Sequence, residues 1–253
     1  MPMQRICRIA EKRMLNPYAV SMTLEVGELS RQISYGQFIN IKCGDGLLLR
    51  RPISICGWEE GLLRIVFEVR GEGTAWLAAR EEGDELDILG PLGHGFQIDP
   101  DKRYLLVGGG IGVPPLLSCA KGTEGNSVAV LGFRNAERVM LTEDFSAACR
   151  EVHLASDDGS VGVHGFVDGV VDDLLAKEND FTAVLACGPK PMLRAVYAAA
   201  RKHGVPCQVS MEERMGCGIG ACLVCACKMA DGHQHHVCKD GPVFDAQEVD
   251  WNE

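Results

Sequence analysis

The chain has 253 residues, 46% of them hydrophobic and 24% charged, a balance that belongs to a folded protein and excludes wholesale disorder. Its 35 acidic against 25 basic residues leave a net charge of −10 with no run of Lys or Arg, a surface that repels nucleic-acid phosphates. No stretch approaches the roughly 20 consecutive apolar residues of a membrane span, and the N-terminal MPMQRICRIAEKR lacks the apolar core of a signal peptide. The expectation is a cytoplasmic protein with neither nucleic acid nor membrane as partner.

From the N-terminus to residue 98 the sequence reads as short strands broken by glycine. Tyr18–Val26, Phe38–Lys42, Leu47–Leu49 and Leu62–Val69 are β-rich, with turns at Cys43-Gly44-Asp45-Gly46 and Glu59-Glu60-Gly61. One helical patch, Thr74–Arg80, interrupts them, and Asp87–Leu89 leads into Gly90-Pro91-Leu92-Gly93-His94-Gly95. Such spacing predicts a small antiparallel barrel or sandwich over residues 1–98.

After Asp99-Pro100-Asp101 the rhythm changes. Strands are expected at Arg103–Val107, Val128–Phe133, Glu151–Ala155 and Phe181–Ala186, and helices at Pro114–Ala120, Glu143–Cys149, Phe166–Lys177 and Pro191–His203. Alternating β and α over residues 99–209 predicts a parallel α/β sheet covered on both faces. From Ser210 to the end, residues 210–253, neither pattern holds, and Cys, Gly and His dominate. The fold class is therefore α+β and multidomain.

Twelve cysteines are the compositional anomaly. Cys7, Cys43, Cys56, Cys119, Cys149, Cys187, Cys207 and Cys227 are dispersed, mostly through apolar runs, where free thiols serve as small hydrophobes in a reducing cytosol. Cys217, Cys222, Cys225 and Cys238 crowd together instead. Their C-x4-C-x2-C…C spacing is that of plant-type [2Fe–2S] proteins. Gly216, Gly218, Gly220 and Ala221 let backbone N–H groups approach the sulfurs, where larger side chains would collide. A structural zinc site is the competing reading, although it prefers two short-spaced cysteine pairs, and the second is missing. Cys227 reads as a core or interface thiol, and His233, His235 and His236 as a solvated loop.

Nucleotide signals lie at strand ends. Gly108-Gly109-Gly110-Ile111-Gly112-Val113-Pro114-Pro115 follows the first apolar strand of the second region, where Gly110 and Gly112 can admit a diphosphate and Pro114 opens a helix. Cys187, Gly188 and Pro189 form a small turn that leaves room for a flat ring at the sheet edge, and Ser156-Asp157-Asp158-Gly159 ends the third strand. In the first region, Arg50-Arg51-Pro52-Ile53-Ser54 and Gly71-Glu72-Gly73-Thr74 offer an Arg for a diphosphate and a hydroxyl for a flavin.

The order R-P-I-S, G-x-G-T, G-x-G-x-x-P, C-G-P resembles the ferredoxin–NADP reductase superfamily, whose members pair an FAD-binding β-barrel with a nicotinamide-binding α/β domain. With the cysteine segment, and with MGCGIGACLVC (Met215–Cys225), VCKDGPVF (Val237–Phe244) and SDDGSVGVHGF (Ser156–Phe166), the whole chain resembles one branch, the electron-transfer subunits of dihydroorotate dehydrogenase B. The resemblance implies an FAD barrel at 1–98, an NAD-binding domain at 99–209 and a [2Fe–2S] domain at 210–253. Arg51, Pro52, Ile53 and Ser54 would line FAD with Val66, Phe67 and Glu68, while Gly73 and Thr74 would meet its diphosphate. Gly110, Gly112 and Pro114 would approach NAD, and Cys217, Cys222, Cys225 and Cys238 would hold the cluster.

Nicotinamide exchanges hydride and an iron–sulfur cluster one electron, so a flavin must stand between them. The resemblance further implies an FMN-containing dihydroorotate dehydrogenase catalytic subunit as partner, in a heterotetramer of two plus two. No acid or base for the dihydroorotate step is assigned here. Arg134 and Arg138 leave NAD against NADP open on charge alone. A reductase serving another acceptor such as ferredoxin, and a zinc-bearing regulatory module, are the alternative readings.

Overall fold

Alternation of apolar and polar residues drives the N-terminal third into strands that bury one face. The computed structural model describes residues 3–178 and 180–252. Strands β1 (Met3–Met14), β2 (Ala19–Gly27), β3 (Phe38–Ile41), β4 (Arg51–Glu59), β5 (Gly61–Glu68) and β6 (Glu85–Leu92) close into a barrel in the order β1-β2-β5-β4-β3-β6. Every neighbouring pair runs antiparallel. Ile9, Leu24, Ile39, Ile65, Phe67 and Ile88 fill the interior, and Leu77 of α1 (Glu72–Ala78) joins the same core.

Among the barrel strands, β1 and β4 were not legible in the sequence. In β1 only Cys7 and Ile9 are buried, and the exposed Ile6 and Ala10 beside them blur the alternation that would mark a strand. The start of β4 carries Arg51-Pro52, which reads as a motif and not as a strand. The converse error is Leu47–Leu49, which forms no strand. It continues the preceding glycine turn as a loop, and Leu48 is 95% exposed because no strand pairs with it.

The second region is built from β7 (Tyr104–Gly109), α2 (Val113–Gly122), β8 (Val128–Phe133), α3 (Thr142–Ala148), β9 (Glu151–Ser156), β10 (Val163–His164), α4 (Val167–Lys177), β11 (Ala183–Cys187), α5 (Lys190–Lys202) and β12 (Cys207–Ser210). The C-terminal segment adds a hairpin of β13 (Ala226–Lys228) and β14 (Gln234–His236), then β15 (Val243–Asp245). The main sheet has seven strands in the order β10-β9-β8-β7-β11-β12-β15. All its pairs are parallel except β12 with β15, where Val209 faces Phe244. That last strand covers an edge β12 would otherwise expose.

The sheet is covered on both faces, as its continuous apolar strands require. Leu105 and Val107 of β7 pack with α4 and α5 through Val171, Leu193 and Val196. Leu106 turns the other way, onto Leu116 and Leu117 of α2 and Phe145 of α3. Among the described residues no helix is long and apolar enough to cross a membrane.

Candidate cofactor cleft and thiol site

A cleft of about 1640 Å³ opens where the barrel meets the C-terminal ends of the parallel strands. Arg51, Pro52, Ile53, Ser54, Val66, Phe67, Glu68 and Thr74 line it from the barrel, and Gly110, Gly112, Cys187, Gly188 and Pro189 from the sheet. Two expected residues stand behind the wall. Gly73 is buried beneath Arg51, and Pro114 is buried in the first turn of α2. Reasoning from motifs missed Tyr18, Phe166 and the run Met211–Met215, all of which line the cleft. Of that run only Met215 belongs to a motif, and Met211–Arg214 carry no glycine.

The paired arginines separate. Arg50 donates to the Asp87 carbonyl at 2.9 Å, to its carboxylate at 2.9 Å and to the Asn40 carbonyl at 3.3 Å, which commits it to the barrel wall. Arg51 instead lies over Gly73, where a Cβ would stand 2.3 Å from its Nε. The Thr74 hydroxyl is already engaged, accepting from the Arg70 amide at 2.8 Å and donating to the Gly71 carbonyl at 3.1 Å.

On the sheet side, a Cβ on Gly112 would meet the Cys187 carbonyl oxygen at 2.3 Å, so the β7 and β11 turns touch through backbone. Asp158 accepts from the Ser160 hydroxyl at 2.6 Å and Ser156 donates to the Val161 carbonyl at 2.7 Å, while Asp157 lines the cleft. Of the two arginines beyond β8, Arg138 reaches back to the barrel. Its guanidinium sits 3.3 Å from Glu68 and 3.8 Å from the Tyr18 ring centre.

The four crowded thiols fall into two pairs. The Cys217 amide donates to Cys222 Sγ at 3.3 Å, and the Cys238 amide to Cys225 Sγ at 3.4 Å. Amides of Ile219, Ala221 and Cys222 converge on Cys217 Sγ at 3.4, 3.2 and 3.4 Å, and that of Gly220 reaches Cys238 Sγ at 3.1 Å. Against slight burial, which acts upward, the donors from Ile219, Cys222 and Ala221 pull the Cys217 thiol down to about 6. Burial, aided by the Cys225 thiol, pushes Cys238 up to about 12. Among the described residues no three His, Cys, Asp or Glu side chains converge on one ion. Two pairs fed by N–H donors fit a two-iron cluster, whose irons each take two thiolates.

A family model described as the iron–sulfur cluster binding domain of dihydroorotate dehydrogenase B matches residues 212–250. A Geobacillus kaustophilus (strain HTA426) protein, named dihydroorotate dehydrogenase B (NAD(+)), electron transfer subunit, is 43% identical over 253 residues, 95% of this chain and 96% of its own. A Fusobacterium nucleatum protein of the same name is 41% identical over 227 residues, 85% and 86% of the two chains. The chain belongs to this family of electron-transfer subunits.

Solved structures agree on the architecture. A chain from the NADH-dependent reduced ferredoxin–NADP oxidoreductase structure superposes with a TM-score of 0.89 at 30% identity, over 98% of this chain and 91% of that one. The cytochrome b5 reductase domain of Ulva prolifera nitrate reductase shares the fold, at a TM-score of 0.67 and 19% identity over 80% and 94%. As a family member the chain is an oxidoreductase subunit, and the zinc reading gives way to the iron–sulfur one.

Two features of the thiol segment refine the sequence reading. Cys227 sits in β13 with its Sγ 4.0 Å from Met229 Sδ, and burial raises its thiol to about 11, as for a core residue. Of the three histidines, only His233 lies exposed in a loop. His235 and His236 belong to β14, half-buried, with the His235 ring 6.1 Å from that of Phe244 and His236 Nδ1 3.5 Å from Asp240. Pairing with β13 holds them there.

Proposed function

We propose that this chain takes electrons from an FMN-containing dihydroorotate dehydrogenase catalytic subunit and hands them to NAD+, with a [2Fe–2S] cluster and FAD as its resident carriers. One observation carries the reading. Met211–Met215 and Pro242, which flank the thiol segment, line the same cleft as Arg51 and Gly112. The flanks of the thiol segment, the barrel and the sheet edge thus share one cavity, which supports a relay of three redox groups.

When bound, FAD supplies the exchange between single electrons and hydride. The roles of the chain's own residues follow from their surroundings. Arg51 offers its guanidinium to a diphosphate, and Pro52, Ile53, Ser54, Val66, Phe67 and Glu68 wall the flavin side. Gly110, Gly112, Cys187, Gly188 and Pro189 leave the backbone-lined space that a dinucleotide needs, with Gly73, Thr74 and Pro114 shaping the turns behind. Cys217 with Cys222, and Cys225 with Cys238, would each hold one iron. Residues 1–98, 99–209 and 210–253 divide these tasks between an FAD barrel, an NAD sheet and a cluster domain. No residue here acts as acid or base on dihydroorotate. That chemistry belongs to the partner.

The partner docks, in this reading, on the face around Cys222. There Ile219, Leu223 and Val224 are 49%, 59% and 58% exposed beside an exposed cluster ligand. Exposed apolar groups grouped this way mark an interaction surface. Two copies of each subunit in the cytoplasm would complete the assembly.

The test is NAD+ reduction by dihydroorotate with this chain and the FMN-bearing subunit mixed. Turnover that requires both proteins supports the reading. No turnover, with FAD, cluster and NADH–dye activity intact, moves the chain to a reductase of another complex.

A further inference from the structure

Strand β3 reads Phe-Ile-Asn-Ile, and all four residues are buried. Asn40 is therefore a polar side chain, 1% exposed, in a strand whose neighbours are apolar. Its Nδ2 donates to the Cys217 carbonyl at 3.4 Å, across 177 positions of sequence. Among the described residues its Oδ1 has no hydrogen-bond partner. A flipped amide would set oxygen against the carbonyl oxygen, so the Cys217 contact determines the orientation. A leucine would fill the same space without an unpaired acceptor.

Both ends of this contact bear on the cofactors. In the ladder Asn40 lies opposite Pro52, next to Arg51 on the cleft wall. At the other end, the contact leaves no room on Gly218, whose backbone is left-handed at φ +76° and whose Cβ would stand 2.4 Å from Asn40 Nδ2. The loop that begins there delivers the Ile219, Ala221 and Cys222 amides to Cys217 Sγ.

We propose that Asn40 is a positioning residue: it pins the Cys217 peptide to the flavin side of the barrel and thereby keeps the amides of the following loop aimed at the Cys217 sulfur. The inference rests on the iron–sulfur reading of the thiols and adds to it a determinant of the cluster's potential. Hydrogen bonds to cluster sulfurs favour the more negative, reduced state and raise its potential. Freed from Asn40, the loop loses part of that donation.

The experiment is a redox titration of the full chain, with FAD and cluster present, followed by the cluster's EPR signal in wild type, Asn40→Leu and Gly218→Ala. Leu keeps the branched outline and removes the donor. Ala pushes on the amide from the opposite side and leaves Asn40 in place. Both variants are expected to keep FAD. At a potential that half-reduces the wild-type cluster, each should show a severalfold smaller reduced fraction and altered g-values. Amide exchange over residues 216–222 should quicken in Asn40→Leu. An Asn40→Leu chain with wild-type g-values, potential and exchange overturns the proposal. If the Leu variant does not fold, a Gly218→Ala chain with wild-type potential does the same. A wild-type chain with no [2Fe–2S] signal instead overturns the reading on which it rests, and needs no variant to be seen.

Discussion

The Arg51 guanidinium lies so close over Gly73 that a methyl group there would stand 2.3 Å from its Nε. Neighbouring Arg50 is held by Asp87 through its carbonyl and carboxylate, each at 2.9 Å, so Arg51 alone of the pair is aimed by a glycine. A single methyl group therefore tests the flavin site. Gly73→Ala should displace Arg51 and weaken FAD binding by the worth of a charge-assisted hydrogen bond, about 1.5–3 kcal/mol, or roughly 10- to 100-fold. Flavin titration of the apoprotein measures it, and unchanged affinity would remove Arg51 from the site.

The nucleotide side has its own close approach. Gly112→Ala drives a methyl group onto the Cys187 carbonyl, 2.3 Å away and on a rigid turn. Overpacking of this kind costs about 1–3 kcal/mol. NADH oxidation with an artificial dye should fall at least tenfold while flavin and visible iron–sulfur absorption persist. Equal loss of all three would mean a general folding defect.

In the proposed relay the thiols divide into ligands and filler. Cys222→Ser should abolish coupling to the catalytic partner yet retain FAD and NADH–dye activity. Cys227→Ala, which empties a buried position beside Met229, should keep the cluster and lose only about 1–2 kcal/mol of stability. Iron content and thermal melting distinguish the two. Full coupling in an iron-free Cys222→Ser chain would falsify the relay.

Residue 223 offers a clean probe of docking. Its backbone is left-handed at φ +61°, a conformation Asp accepts more readily than Leu. Leu223→Asp should thus leave the loop intact and place a charge on the exposed apolar face. Partner affinity should drop by about 2 kcal/mol or more, near 30-fold, as for a central interface residue. Binding measured by titration should weaken while NADH–dye activity stays at wild-type level.

Much of this molecule is local in its sequence. C-x4-C-x2-C with a later Cys238, glycines at the ends of apolar strands, and the change from period-two to alternating β and α patterns are each carried by a few consecutive residues. Each follows from chemistry that consecutive residues perform: wrapping sulfurs around a cluster, turning a strand into a helix, burying one face. Those readings carried the fold class and, through the resemblance they support, the carriers. Even the errors were local ones, such as Leu47–Leu49, where an apolar run without a pairing partner became an exposed loop.

What tertiary structure decided are the contacts that close over long separations. Which arginine is tied to the barrel wall depends on Asp87, which lies beyond β3 on strand β6, and Arg138 is spent on Glu68 and Tyr18 from a different sheet. Strand β15 pairs with β12 across the whole intervening thiol segment. The link from Asn40 to the Cys217 carbonyl has no signature in either segment. An Asn between isoleucines looks like an imperfection until barrel register brings it to the cluster loop. Register and closure are collective properties of many paired residues, so no short stretch of sequence contains them.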